Sequence, residues 1–147
     1  LKIKLIIIGR EKEKNNLINF INQNKLKNFI KIKGPNKNVY NYLRSADLFI
    51  LSSKYEGLPN VLLEALTLKK FVISTNCPTG PKEILLNGNG GLLFNIGDHN
   101  QLTKKIFYYF KNKDKCKKKL RASIKALKRF DYSFNLNQYF KIVKKYL

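Results

Sequence analysis

Apolar positions along the first two thirds of the chain follow two alternating rhythms. Strands are predicted at "NFIKIKG" (28–34), "KFVIST" (70–75) and "GGLLFN" (90–95), and two more are continuous apolar runs that close on glycine or serine: "IKLIIIG" at 3–9 and "DLFILSS" at 47–53. Such runs predict strands covered on both faces. Between them the period is helical. Leu17, Ile18, Phe20 and Ile21 recur within 11–24, and Val39, Tyr42 and Leu43 share one face of 38–46. Helices are also predicted from Pro59 to about Leu68 and in "CPTGPKEILL", each with its proline at the first helical position. Strand–helix–strand repetition implies right-handed parallel crossovers and a doubly wound α/β sheet. From Asp98, expected to cap a helix, the pattern is helical to the end. No glycine-, serine- or proline-rich linker intervenes, so residues 99–147 are expected to be a helical C-terminal extension packed on the α/β domain of 1–98.

The chain has 147 residues, enough for one domain with a core. No apolar run approaches the roughly 20 residues that span a bilayer, and the opening run reads as a strand, not a signal peptide. The net charge of +21 admits two readings. One is an electrostatic footprint for nucleic acid or anionic lipid. The other is a coding bias towards lysine and asparagine spread over solvated faces, which the scarcity of arginine favours. Cys77 and Cys116 fit no metal or redox spacing, so a reduced, cytoplasmic setting is expected. Cys77 reads as a small buried filler. The lone histidine, His99, falls at a helix start as an exposed bystander, and no metal site is expected.

The chemistry concentrates in "SSKYEGLPNVLLEA" at 52–65. At 100° per residue Asn60, Glu64 and Thr67 form one polar strip, while Val61, Leu62, Ala65 and Leu66 cover the other side. A carboxylate on a mostly buried helix needs donors, and sugar hydroxyls would supply them. Gly57, Leu58, Asn60 and Val61 offer amides with no partner inside the helix, a ready anion site. Glycine at 57 lets a ligand approach the backbone. Two carboxylates, Glu56 and Glu64, thus flank an anion cradle, roughly a dozen ångströms apart along the chain path. A nucleotide sugar matches, with its diphosphate in the middle and hydroxyls at both ends. The competing reading makes Glu64 a surface residue paired with Lys69 or Lys70. In an open parallel sheet, ligands sit at the carboxyl ends of strands, where Gly9, Gly34 and residues 52–57 all fall. Glu83, third in its helix, is expected to cap that helix.

"ADLFILSSKYEGLPNVLLEALTLKKFVISTNCPTGPKEILLNGNGGLLFNIGD" at 46–98 resembles the donor-binding lobe of family 4 glycosyltransferases, retaining enzymes of the GT-B fold. The likeness extends through "LKIKLIIIGREKEKNNL" and "IKIKGPNKNVYNYLRSAD". It implies a Rossmann-like half of a GT-B fold and donor residues Gly9, Arg10, Gly34, Pro35, Ser53, Lys54, Glu56, Gly57, Leu58, Asn60 and Glu64. In that family the position of Glu64 holds the ribose hydroxyls, and that of Glu56 faces the donor sugar near the reacting carbon. The positions of Gly57 and Leu58 meet the diphosphate or sugar, Gly9 lies against the nucleotide, and Gly34 and Pro35 lie near the base. The "CPTGPKEIL" variant resembles members that build surface polysaccharides or lipid-linked glycans from UDP-sugars.

The family usually has glycine where Glu11 stands. Its donor lobe also opens one strand–helix unit earlier, with an arginine and a lysine that neutralise the diphosphate. Lys54 or Arg10 is the available replacement for that charge. An N-terminal acceptor-binding lobe is the expected partner, and without it the chain is expected to be inactive. Further readings remain: a non-catalytic nucleotide-binding partner subunit or an inactive gene fragment, and, behind these, a basic nucleic-acid-binding module. The lysine-rich stretch "KNKDKCKKKLRASIKALKRF" is read as a solvated helix face, or as a patch for peripheral contact with anionic lipid at the inner face of the cell membrane.

Overall fold

The structure, a computed structural model, describes residues 3–9, 14–35 and 38–146. The chain divides into two compact units, Leu1–Tyr42 and Leu43–Leu147.

In the first unit, β1 (Leu5–Ile8) leads through α1 (Lys14–Gln23) to β2 (Ile30–Lys33), and the two strands pair in parallel with Leu5 opposite Ile30 and Ile8 opposite Lys33. This is the strand–helix–strand crossover read from the pattern. Burial differs from expectation. Leu5 and Ile6 expose 41% and 44% of their surface, so β1 is not covered on both faces. The described sheet here has only two strands, and each lacks a neighbour on one side. Ile21 of α1 is buried.

Along the chain β2 is followed by α2 (Tyr40–Ser45), whose Leu43 is part of the core of the second unit. That unit is a parallel sheet of β3 (Leu48–Leu51), β4 (Phe71–Thr75) and β5 (Leu92–Phe94), in the order β3-β4-β5. The order explains the burial. Central β4 is buried at every residue, whereas edge strand β3 is only half-buried throughout, short of its expected burial. Side chains alternate across β4. Val72 packs with Leu62, Ala65 and Leu66 of α3 (Asn60–Thr67) and Ile84 of α4 (Pro81–Ile84). Phe71 and Ile73 face the other way, onto Tyr109 of α5 (His99–Lys111) and Cys116 of α6 (Lys113–Ala126). Helices therefore cover both faces, and the fold is a Rossmann-like parallel α/β arrangement with a helical tail.

The tail is anchored by polar bonds as well as apolar contact. Tyr109 stacks on Phe71 and donates its hydroxyl to the Asp47 carbonyl at 2.6 Å. Ser123 is buried and donates to the Gly90 carbonyl at 2.9 Å, and the Lys119 ammonium donates to the Gly88 carbonyl. Asp98 caps α5 as expected, accepting from the Gln101 amide at 2.7 Å. A 3-10 turn (Leu127–Phe130) then leads to α7 (Tyr132–Val143), capped by Asp131, which buries none of its residues.

Candidate functional site

The loop after β3 and the start of α3 carry the two carboxylates. Pro59 has an extended backbone (φ −73°, ψ 97°) and occupies the cap, so the helix begins at Asn60, one residue later than expected. An extended ψ suits the residue that turns the chain into the helix. The first bond of the turn runs from the Leu62 amide to the Pro59 carbonyl. Among the described residues the amides of Gly57, Leu58, Asn60 and Val61 have no hydrogen-bond partner. The Asn60 and Val61 amides carry the partial positive charge of a helix start, and those of Gly57 and Leu58 lie in the loop just before the cap.

Around that start, a Cβ built on Gly57 would meet nothing within 4 Å, so its backbone faces open space. Leu58 is half-exposed and Lys54 exposed, while Glu56 is half-buried. On α3 the strip falls as read: Asn60 and Thr67 are exposed, Glu64 is half-buried, and Leu62, Ala65 and Leu66 have no exposure at all.

A second loop, between β4 and α4, holds the first. The Thr75 hydroxyl and the Cys77 thiol donate to the Ser53 carbonyl, at 2.7 and 3.1 Å. The Thr79 hydroxyl donates to the Glu56 carbonyl. Gly80 has φ +83°, a conformation suited to glycine, and a methyl group there would overlap the Gly57 carbonyl and come within 2.6 Å of the Pro59 ring. The sequence reading takes this stretch as the start of a short helix, in a loop that the resemblance places near the donor, and assigns Thr79 and Gly80 no role of their own. The available signal was glycine before the proline that opens α4. Cys77 is a buried filler as expected, and also a donor. Glu83 sits in the first turn of α4 but is exposed and makes no side-chain capping bond. Its carbonyl instead accepts from Arg129 at 3.1 Å.

The remaining residues that the resemblance implies for the donor belong to the first unit. Gly9 closes β1 with φ +151°, its amide bonded to the Lys33 carbonyl at 3.3 Å. Gly34 and Pro35 follow β2 and are exposed. Arg10 lies outside the described residues. His99 is exposed at the start of α5. A groove of about 560 Å³ runs by the C-terminal half of α3, lined by Leu63, Thr67, Leu127, Lys128, Phe130 and Asp131. It takes in the end of the polar strip and none of residues 52–60. Among the described residues no three His, Cys, Asp or Glu side chains gather to hold a metal ion.

Residues 1–129 match the family of glycosyl transferases group 1. The chain belongs to that family. It is 48% identical over 82 residues to an uncharacterized glycosyltransferase, MJ1059, of Methanocaldococcus jannaschii, covering 56% of this chain and 20% of that protein. Also over 82 residues, it is 39% identical to the amylovoran biosynthesis glycosyltransferase AmsD of Erwinia amylovora, covering 56% of this chain and 23% of that one. The crystal structure of Anabaena HepE in complex with UDP superposes with a TM-score of 0.83 at 20% identity, covering 99% of this chain and 41% of that chain. The group 1 transferase chain thus spans about a fifth of the length of these curated relatives. Its fold is half of the GT-B architecture.

Proposed function

We propose that the chain is the donor-binding part of a retaining, family 4 glycosyltransferase. The complete enzyme moves a hexosyl or N-acetylhexosaminyl group from a nucleotide-diphosphate sugar to a hydroxyl of a glycan or lipid-linked acceptor, in surface polysaccharide synthesis. The observation that carries this reading is the start of α3: unpartnered amides at Gly57, Leu58, Asn60 and Val61, with Glu56 just before them and half-buried Glu64 one turn in. Family membership, the UDP held by HepE and the part of AmsD in amylovoran biosynthesis support it.

In this reading the amides, with Lys54 beside them, receive the diphosphate. Fixed donors aimed at the oxygens of a leaving group stabilise charge as the glycosidic bond breaks, without reorganisation at that moment. Glu56 orients the donor sugar and stabilises positive charge developing at its ring. Glu64 accepts from the ribose hydroxyls, and Asn60 adds a polar contact at the helix start. Ser53 shapes the loop through its carbonyl. Gly9, Arg10, Gly34 and Pro35 are assigned to the nucleotide on the motif alone. The acceptor is bound by a second, N-terminal lobe, and catalysis needs both.

Calorimetric titration with UDP, GDP and their sugars tests the reading. Glu64→Ala is expected to weaken nucleotide binding at least about tenfold, as loss of charge-assisted hydrogen bonds should. Replacing Lys115, Lys117 and Lys118 by alanine is expected to leave it unchanged. Nucleotide binding that survives Glu64→Ala and collapses in the lysine variant would overturn the proposal. Peripheral membrane contact is part of the same reading. The sequence reading puts that contact on the lysine-rich stretch 111–130, and α7 adds to it exposed Tyr139, Phe140 and Ile142, with Lys141, Lys144 and Lys145 close by in sequence.

A further inference from the structure

We propose that Thr79 and Gly80, in the loop between β4 and α4, form a positioning clamp that fixes the backbone of Glu56 and Gly57 and thereby aims the Glu56 side chain at the donor sugar. The inference rests on the donor-binding reading and adds to it two residues that do not themselves need to touch the donor.

The contacts alternate along one strand end. Thr75 and Cys77 both donate to the Ser53 carbonyl, and Thr79 donates to the Glu56 carbonyl. Gly80 then lies against the Gly57 carbonyl and the Pro59 ring, closer than any side chain would permit. Every one of these bonds is made to main-chain oxygen. The Glu56 carboxylate is left uncommitted by the clamp while the backbone that carries it is tied at the carbonyl. The amides of Gly57 and Leu58 are likewise left for a ligand. A loop tied only at Ser53 could swing residues 54–58 about that point. The Thr79 bond adds the second point of attachment, and Gly80 keeps the two loops in contact where α3 begins.

Thr79 is exposed, so its loss should leave the core intact, and Thr79→Val removes the hydroxyl at nearly constant size. The test measures UDP and UDP-glucose binding by calorimetry on the 147-residue chain, for the wild type, Thr79→Val and Thr79→Ser, beside their melting temperatures. A clamp on Glu56 predicts that UDP-glucose binds the wild type more tightly than UDP does. Thr79→Val should lose about three- to tenfold of UDP-glucose affinity, the reach of one hydrogen bond. UDP affinity should change less than about twofold, melting should be unchanged, and Thr79→Ser should restore the wild-type values. Amide hydrogen exchange of residues 55–58 should quicken in Thr79→Val and return in Thr79→Ser. Equal loss for both ligands, no loss for either, or a wild type that binds UDP-glucose no better than UDP would overturn the clamp and leave the donor-binding reading standing. A wild type that binds neither ligand removes the donor-binding reading, and the clamp with it.

Discussion

Gly80 shows how much one residue can decide. Its φ of +83° and its contact with the Gly57 carbonyl and Pro59 ring leave no room for a side chain. Gly80→Ala is therefore expected to destabilise the second unit by about 2–4 kcal/mol, from strained backbone and overpacking together. Urea unfolding checks this, and an unchanged midpoint would show that the two loops separate freely. Cys116 offers a pH test. Burial pushes its thiol up from the ordinary value, with Lys113 and Lys119 pulling the other way. The thiol thus holds its proton more tightly folded than unfolded, and this contribution to stability is present below the thiol's unfolded pKa and lost as pH rises through the folded one. As pH rises through the range in which the thiol ionises, the fall in stability should be shallower in Cys116→Ala than in the wild type. Equal slopes would show that the thiol does not contribute.

Caps and edges govern the elements. Asp98 ends its loop with a side-chain bond to the Gln101 amide, so Asp98→Ala is expected to cost about 1 kcal/mol in chemical denaturation. Ser123→Ala should cost about 1–2 kcal/mol, because the buried Gly90 carbonyl would lose its donor and water cannot reach it. The strands show where pattern reading stops. "LIII" and "LFIL" are as apolar as "FVIS", yet only β4 is fully buried. Apolar content told that these segments are strands. Their place in the sheet order, invisible in any one segment, determined how much of each is covered.

For the whole molecule, charge and exposure gather in the tail. Residues 99–147 carry fifteen lysines and arginines against two aspartates. The ion pair between Lys117 and Asp114, 3.7 Å long and exposed at both ends, is of the kind that contributes little. Beyond Asp131, α7 leaves Tyr139, Phe140 and Ile142 more than half exposed. Ending the chain after Asp131 is expected to shift stability by about 1 kcal/mol or less, since so little apolar surface is covered there. If α7 meets anionic lipid, the same truncation should lower sedimentation with phosphatidylglycerol vesicles about tenfold and leave phosphatidylcholine unaffected. Equal binding to both lipids, or binding that survives truncation, would remove α7 from any membrane role.

By itself the sequence determined the alternation of strands and helices, the polar strip of Asn60, Glu64 and Thr67 on α3, and the amide-rich start of that helix. These follow from periodicity and from the local chemistry of proline, glycine and glutamate, which neighbours along the chain dictate. It did not determine that Thr79 would bond to Glu56, 23 residues away, or that Gly80 would lie against Gly57. Those contacts arise because adjacent parallel strands end at the same level and deliver their following loops side by side. The register of β3 on β4, with Leu51 opposite Ser74, is a property of the assembled sheet, and no single stretch of residues encodes it.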